Sequence, residues 1–382
     1  MGLAKEIYKQ RAMVTSSIRA YVLDDTIKIR RGKKMEGVSS HFDHTLKRHV
    51  MGQQVLCLGL TTAEAFMPLD SQIYISQTKV QALQRTYRDE RSAAARRYEE
   101  ALNKSKPEMA REMLKRVARR GIMADYLLAD AWFGSKPMIR TAMEMEVTAV
   151  LRMKKSKMKY RDGKRMCDVE TIYRRAVKKQ WPKVRGMAYR AVPVDVQLDI
   201  AEDGSKTPRW LDIRLLFVRG VKEDGKEQGS KKDWAVFLTT DCRMSVSRLL
   251  EIYALRWGIE VYFKEAKQHL GFLQEQTKYF ASHIASIHLT AIRYLMLVYM
   301  KLDTEDLRVC DIRAHIKDQW CTLEFASQLW QFFRAIISGT LKQKNMLGNK
   351  TNAIMEAIDE RVEEFLTTAL QLDTFTLRME FE

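Results

Sequence analysis

A chain of 382 residues is long enough for two to three structural units at about 150 residues each. With 46% hydrophobic and 30% charged residues it is neither a disordered tail nor a membrane protein, because the most apolar stretch, 284–300, is interrupted by His288 and Arg293 and reads as a buried helix. Lys and Arg number 66 against 48 Asp and Glu, and a formal charge of +18 is long-range attraction for a polyanion, nucleic acid before any other.

In chain order, short apolar runs predict strands at Tyr21–Leu23, Gln54–Thr61, Gln72–Ser76 and Tyr126–Ala129, with helical patterns at Met109–Arg119 and Lys136–Met145. Alternating patterns at Val147–Met153, Ala188–Ile200, Trp210–Val221 and Asp233–Thr239 predict further strands, separated by turns such as Arg161-Asp162-Gly163 and Asp203-Gly204-Ser205. From Ser245 onward the chain reads as helix, through 282–302, 323–337 and 351–370. The order fits an α/β core over 1–145, a β-rich insertion over 146–240, the rest of the core over 241–305 and a helical C-terminal region over 306–382.

Charge is concentrated. Between Arg152 and Arg185 there are 14 Lys or Arg and three acids, and between Lys79 and Arg120 there are 13 and six. The first stretch is the expected electrostatic contact surface. No basic amphipathic anchor or lipidation signal points to a membrane: Glu6 stands where a myristoylation site requires Ser or Thr, and MGLAKEIYKQ lacks the apolar run of a secretory signal. Five irregularly spaced cysteines without a Cys-x-x-Cys pair fit free thiols in a reducing compartment, the cytoplasm.

The segment 249–271, LLEIYALRWGIEVYFKEAKQHLG, carries the densest pattern. Tyr253, Arg256, Glu260, Lys264 and Lys267 are spaced by three, four, four and three residues, which lines them along one side of a single helix, beside an apolar side of Ile252, Leu255, Ile259, Phe263 and Ala266. Taken alone this is also the pattern of a surface ladder of ion pairs. Trp257 flanks this pattern and fits either core packing, the more ordinary reading, or a part in the site. Upstream, Asp24 and Asp25 close one apolar strand and Asp130 closes another, where acids are held at a sheet edge. Alternation lets only one of Asp24 and Asp25 face a given side, leaving the other as a turn or capping residue, and Asp130 can also serve as a helix N-cap. Two such acids and one from a helix can hold divalent metal, and magnesium suits oxygen ligands and in-line phosphoryl transfer between two ions. By contrast, Ser40-His41-Phe42-Asp43-His44 has the composition of a metal cluster, but on a strand His44 faces away from His41 and Asp43.

These residues together resemble the DDE transposases of bacterial insertion sequences, in particular the insertion sequence 4 group with its Y-x2-R-x3-E-x6-K (YREK) signature, matched here by Tyr253, Arg256, Glu260 and Lys267 in type and spacing. The resemblance extends over Leu23-Asp24-Asp25-Thr26, over Leu128-Ala129-Asp130-Ala131-Trp132-Phe133 and over the β insertion. It implies an RNase H-like core in which Asp24, rather than Asp25, joins Asp130 and Glu260 as catalytic ligands of two Mg2+ ions, with Tyr253, Arg256, Lys264 and Lys267 toward DNA phosphate. It further implies cut-and-paste transposition: nicking at the element end, hairpin formation by the freed 3′-hydroxyl, hairpin opening and strand transfer. Its partners would be double-stranded DNA of the element ends and target, and a second copy in a dimeric synapse. A flipped base in the hairpin would stack on an aromatic of the insertion, Trp181 or Trp210. Family members carry an end-binding region ahead of the first catalytic strand. Here about 20 residues precede Asp24, which implies ends read elsewhere or a truncated chain. The rival expectations are an RNase H-like nuclease without strand transfer and a catalytically silent DNA-binding relic.

Overall fold

The computed structural model describes residues 2–9, 18–32, 34–43, 46–77, 79–80, 87, 89–176, 181–202, 204–221, 233–302, 307–343 and 351–369. They fall into two compact units, Met1–Leu302 and Asp303–Glu382.

The first unit is a mixed α/β fold on one large sheet. After α1 (Gly2–Tyr8) come β1 (Ala20–Ile29), β2 (Ser39–Asp43), β3 (Arg48–Thr61) and β4 (Phe66–Tyr74). One edge of β3 takes β1 antiparallel, and its other edge takes β4 and then β2. Next are α2 (Ala93–Asn103), α3 (Lys106–Arg119), β5 (Tyr126–Ala129), α4 (Lys136–Glu144) and β6 (Thr148–Met153). β5 runs parallel to β1 and β6 parallel to β5. The sheet continues through β11 (Ala235–Thr239), β10 (Trp210–Gly220) and β9 (Tyr189–Asp199) to the hairpin of β7 (Lys159–Asp162) and β8 (Arg165–Asp168), and α5 (Val169–Ala176) follows that hairpin in sequence. The unit closes with α6 (Val246–Ala254), α7 (Trp257–His269) and α8 (Phe280–Leu302).

The start of β1, Ala20-Tyr21-Val22-Leu23, is wholly buried between β3 and β5, and a strand buried on both faces reads as a continuous apolar run. β1 then continues to Ile29, six residues past the predicted end, on its pairing with β3. β4 begins at Phe66, ahead of the predicted Gln72, although Pro68 and Asp70 argue against a strand there. The ladder shifts register opposite Leu58 and Gly59, which accommodates the proline, and buried Asp70 is paired with Arg97 at 2.8 Å and Arg116 at 2.9 Å. α3 starts at Lys106, three residues before its apolar period, because Ser105 and Glu108 form a capping box with Pro107 in the first turn.

The expected single helix over 249–271 is two helices. Between α6 and α7 the hydrogen bonds tighten to i−3, from Leu255 N–H to Ile252, Arg256 to Tyr253, Gly258 to Leu255 and Ile259 to Arg256. The Thr61 hydroxyl donates to the Leu255 carbonyl at 3.3 Å, and a Cβ on Gly258 would lie 3.1 Å from Phe66 Cβ, so the turn between β3 and β4 seats the junction. α8 is long and apolar enough to span a membrane by length and composition. Rather than being buried all round, it buries Phe280, His283, Ile284, Ile287 and Tyr294 while Leu289, Ile292, Met296 and Tyr299 are exposed. The second unit is a pair of packed helices, α9 (Val309–Gln343) and α10 (Thr351–Ala369), tied by Asp359 accepting from Trp330 Nε1 and pairing with Arg334.

Two consequences are measurable. The loop from β5 into α4 passes so close to β6 that a Cβ on Gly134 would sit 2.4 Å from the Arg152 carbonyl oxygen, so Gly134→Ala is expected to cost about 1 to 3 kcal/mol in urea unfolding. His41 is buried, its Nε2 2.9 Å from Ser39 Oγ, and burial together with the nearby Lys106 ammonium lowers its pKa to about 4 against the pull of Asp25. The unfolded chain therefore takes up this proton first as pH falls. The stability that neutral His41 contributes is complete above about 6.5 and is lost on acidification through about 4. His41→Gln should flatten the fall in unfolding free energy, measured by urea titration, between pH 7.5 and 4.5 by on the order of 2 kcal/mol.

Candidate active site

β1 delivers two adjacent carboxylates to opposite faces of the sheet. Asp24 points to the α7 side, where its Oδ2 lies 2.7 Å from Arg256 Nη1 and its Oδ1 accepts from the Asp25 N–H. Asp25 points the other way, to Lys106 Nζ at 2.8 Å and Gln54 Nε2 at 2.7 Å. It is therefore half of a buried ion pair and not the turn or capping residue expected of it.

The register that ends β5 at Ala129, opposite Leu23, sets Asp130 beside Asp24. Asp130 Oδ1 accepts from the N–H groups of Trp132 at 2.9 Å and Phe133 at 3.4 Å, so it does cap, but a turn rather than a helix. Glu260 enters from the first turn of α7, and its Oε1 meets Arg256 Nη2. One guanidinium, itself mostly buried, thus joins two acids 236 positions apart in the chain, and its own position at the tightened junction puts it between them. Burial above all, with the charges of Asp130 and Asp25, pushes the Asp24 carboxyl up to about 7 despite Arg256.

Tyr253 lies on α6 with its ring edge-on to Phe237 at 4.7 Å, and burial raises its hydroxyl to about 12 although Arg256 and Arg152 oppose this. Lys267 donates weakly to the Ile27 carbonyl at 3.4 Å, its pKa lowered by burial and by Lys28. Lys264, one turn beyond Glu260 on α7, is exposed to solvent. Among the described residues, no three His, Cys, Asp or Glu side chains are disposed to hold a metal ion, and Arg256 occupies the space between Asp24 and Glu260. His44 lies outside the described residues.

The aromatic expectations change most. Trp257 is 64% exposed rather than in the core. Trp181 is buried and donates to the Ala176 carbonyl, and Trp210 is covered by the Arg161 guanidinium at 4.1 Å, so neither presents an open ring. Trp234, which the sequence pattern did not single out, is half-buried, stacks on Tyr173 at 4.0 Å and carries the Lys155 ammonium 4.2 Å from its ring centre. In the basic stretch, Arg152, Lys154, Lys157, Lys164 and Arg165 are exposed, and β6 brings the first two to the same sheet end as Asp130.

No curated protein matches the chain. The family model of the DDE superfamily endonucleases matches residues 4–208, a span that contains Asp24 and Asp130 and ends before α7. With more than half its length in that match and two acids meeting at the sheet end where β1 and β5 lie side by side, the chain belongs to the DDE superfamily endonucleases, a family of DNA-cleaving enzymes that includes transposases and generally uses divalent metal.

Proposed function

We propose that the protein is a DDE transposase of the insertion sequence 4 group, acting in the cytoplasm on double-stranded DNA as a dimer at paired element ends. The observation that carries the reading is that Asp24 lies beside Asp130, where β1 and β5 run side by side, and is joined through Arg256 to Glu260, so that acids from three distant segments are linked. Strand order supports an RNase H-like core: β4, β3, β1, β5 and β6 lie side by side, with the first three antiparallel and the last two parallel to β1. On this reading β6 belongs to the core, so the insertion expected over 146–240 begins only after Met153 and holds β7 to β10 between the second and third acids, with 306–382 a helical appendage.

Asp24, Asp130 and Glu260 carry the hard oxygen ligands that Mg2+ takes, but the Arg256 guanidinium stands between Asp24 and Glu260, so these acids would hold metal ions only with that side chain moved aside. When bound, such ions stabilise the attacking and leaving oxygens of an in-line phosphoryl transfer. The protein's own groups do the rest. Arg256 orients Asp24 and Glu260 and has the planar fork that binds phosphate in two places. The Tyr253 hydroxyl, held protonated by burial, donates to phosphate, and Lys267 adds a point charge from the far end of α7. Trp257, which is 64% exposed, is the surface on which an unpaired base of a hairpin would stack. A nuclease without strand transfer is the competing reading, favoured by the endonuclease description of the family. Hairpins or 3′ ends joined to a second duplex distinguish the transposase, and nicks alone the nuclease.

Glu260→Gln is expected to abolish Mg2+-dependent cleavage while duplex binding in EDTA stays within about twofold, because the substitution removes a metal ligand and leaves the phosphate-binding cations in place. Asp24→Asn should abolish cleavage likewise. Asp25→Asn should act mainly on stability through Lys106, and equal loss of cleavage at full folding would remove Asp24 from its role. Replacing Lys154, Lys157 and Lys164 with Gln should reduce the slope of log affinity against log salt by roughly one unit for each phosphate these side chains neutralise, and an unchanged slope would mean the lysines are merely solvated.

A further inference from the structure

The carboxylate oxygens of the acid site are largely engaged by the protein itself. Asp24 Oδ2 takes Arg256 Nη1 at 2.7 Å and its Oδ1 takes the Asp25 N–H at 2.8 Å. Asp130 Oδ1 takes the N–H groups of Trp132 and Phe133, and Glu260 Oε1 takes Arg256 Nη2. The guanidinium stands where a cation shared by Asp24 and Glu260 would have to sit, and it offsets the charge of both. A divalent ion competes there with a tethered cation, whose effective concentration far exceeds that of an ion in solution.

The backbone beneath this side chain is fixed. The Arg256 N–H donates to the Tyr253 carbonyl at 3.0 Å, the Arg256 carbonyl accepts from Ile259 at 3.2 Å, and Thr61 holds the neighbouring Leu255 carbonyl. Any change is therefore confined to the side chain. The two ends of its fork differ: the Asp24 side chain is 18% exposed and that of Glu260 35%, so an anion arriving from solvent meets the Glu260 end first. A phosphodiester is such an anion, since its paired oxygens match the guanidinium fork as a carboxylate does.

Resting on the DNA-transferring function proposed above, we infer that Arg256 is a latch on the acid site. Without DNA it bridges Asp24 and Glu260 and keeps divalent cations out; a phosphate of bound DNA draws the guanidinium off Glu260 and frees both carboxylates. Charge makes the exchange cooperative. Withdrawal of Arg256 leaves the acids unpaired, which favours cation entry, and the phosphate gains the counterion that the acids give up. DNA and metal then each bind more tightly in the presence of the other, and the acids stay unloaded until a strand is at hand.

The test counts bound Mn2+ by electron paramagnetic resonance on the full chain, Mn2+ taking the same oxygen ligands as Mg2+. Binding at the acids is the part that Glu260→Gln removes. Without DNA, Arg256→Gln is expected to bind Mn2+ there on the order of tenfold more tightly than the wild type, the factor for a latch closed in about nine molecules of ten. Asp24→Asn in that background should abolish the gain. Arg256→Lys, which leaves a cation to support the fold but no fork to span both acids, should gain by a smaller factor. A duplex oligomer, with its own Mn2+ uptake subtracted, should raise the affinity of the wild type more than that of Arg256→Gln. Equal affinity of the wild type and both Arg256 variants, a gain that survives Asp24→Asn, or a duplex that raises wild type and Arg256→Gln alike would overturn the latch while leaving the transposase reading standing. No Mn2+ at the acids in any of these proteins, with duplex or without, would overturn both.

Discussion

The arrangement depends on one cation between two acids. Setting Asp24 beside Asp130 at a partly buried sheet end, with Glu260 joined to Asp24 through Arg256, puts like charges close together where water screens poorly, and ionised carboxylates are costly there unless paired. Arg256 meets that need for two of them. Its position is in turn set from outside the site: Thr61 takes the Leu255 carbonyl, Gly258 lets α7 approach Phe66, and the turn between β3 and β4 that supplies both is held in the sheet by the pairing of β3 with β1. The strand that carries Asp24 thus also positions, through its neighbour, the residue that neutralises it. A guanidinium is a firm partner for this purpose because it stays charged at any physiological pH and offers nitrogen donors in a fixed plane.

The same strand solves a second problem by alternation. Two consecutive aspartates would repel if they shared an environment, and the pleat separates them onto two faces with separate counterions, Arg256 for Asp24 and Lys106 for Asp25. The Asp25 to Lys106 pair is more deeply buried than a surface ion pair. Breaking it would strand a charge, which costs far more than the pair contributes when whole. Lys106 is able to reach the sheet because the capping box starts α3 early enough to put it in the first turn.

Much of this was legible in the amino-acid sequence because its signals are local. β5 has the predicted limits, since four apolar residues between a polar turn and Asp130 admit little else, and β6, β9, β10 and β11 lie within two residues of their alternating patterns. The acids and the arginine that meet were also visible as strand-ending residues and as a helical spacing. What was illegible depends on partners far away in the chain. The break between α6 and α7 is imposed by Thr61 and Phe66, and nothing in 249–271 records them. β4 tolerates Pro68 because of a register shift against β3, and β7 and β8 are too short and charged for a pattern to declare itself even though their turn was recognised. Indole exposure is a tertiary property: Arg161 lies over Trp210 and Lys106 over Trp132, while Trp257 is 64% exposed.

The excess of positive charge takes on meaning at this scale. The site itself is close to neutral, three acids against Arg256 and Lys267, so it offers a phosphate backbone little attraction of its own. On the proposed reading attraction comes from the rim, where β6 brings Arg152 and Lys154 to the sheet end that holds Asp130. Exposed cations act over about a Debye length, roughly 8 to 10 Å at moderate salt, which is enough to hold a backbone against the sheet end but not to choose which bond is attacked. That choice requires interactions made at van der Waals range. On the proposed reading the fork of Arg256 supplies them without regard to base identity, which would divide the labour between a salt-sensitive surface that gathers DNA and a rigid interior that registers it.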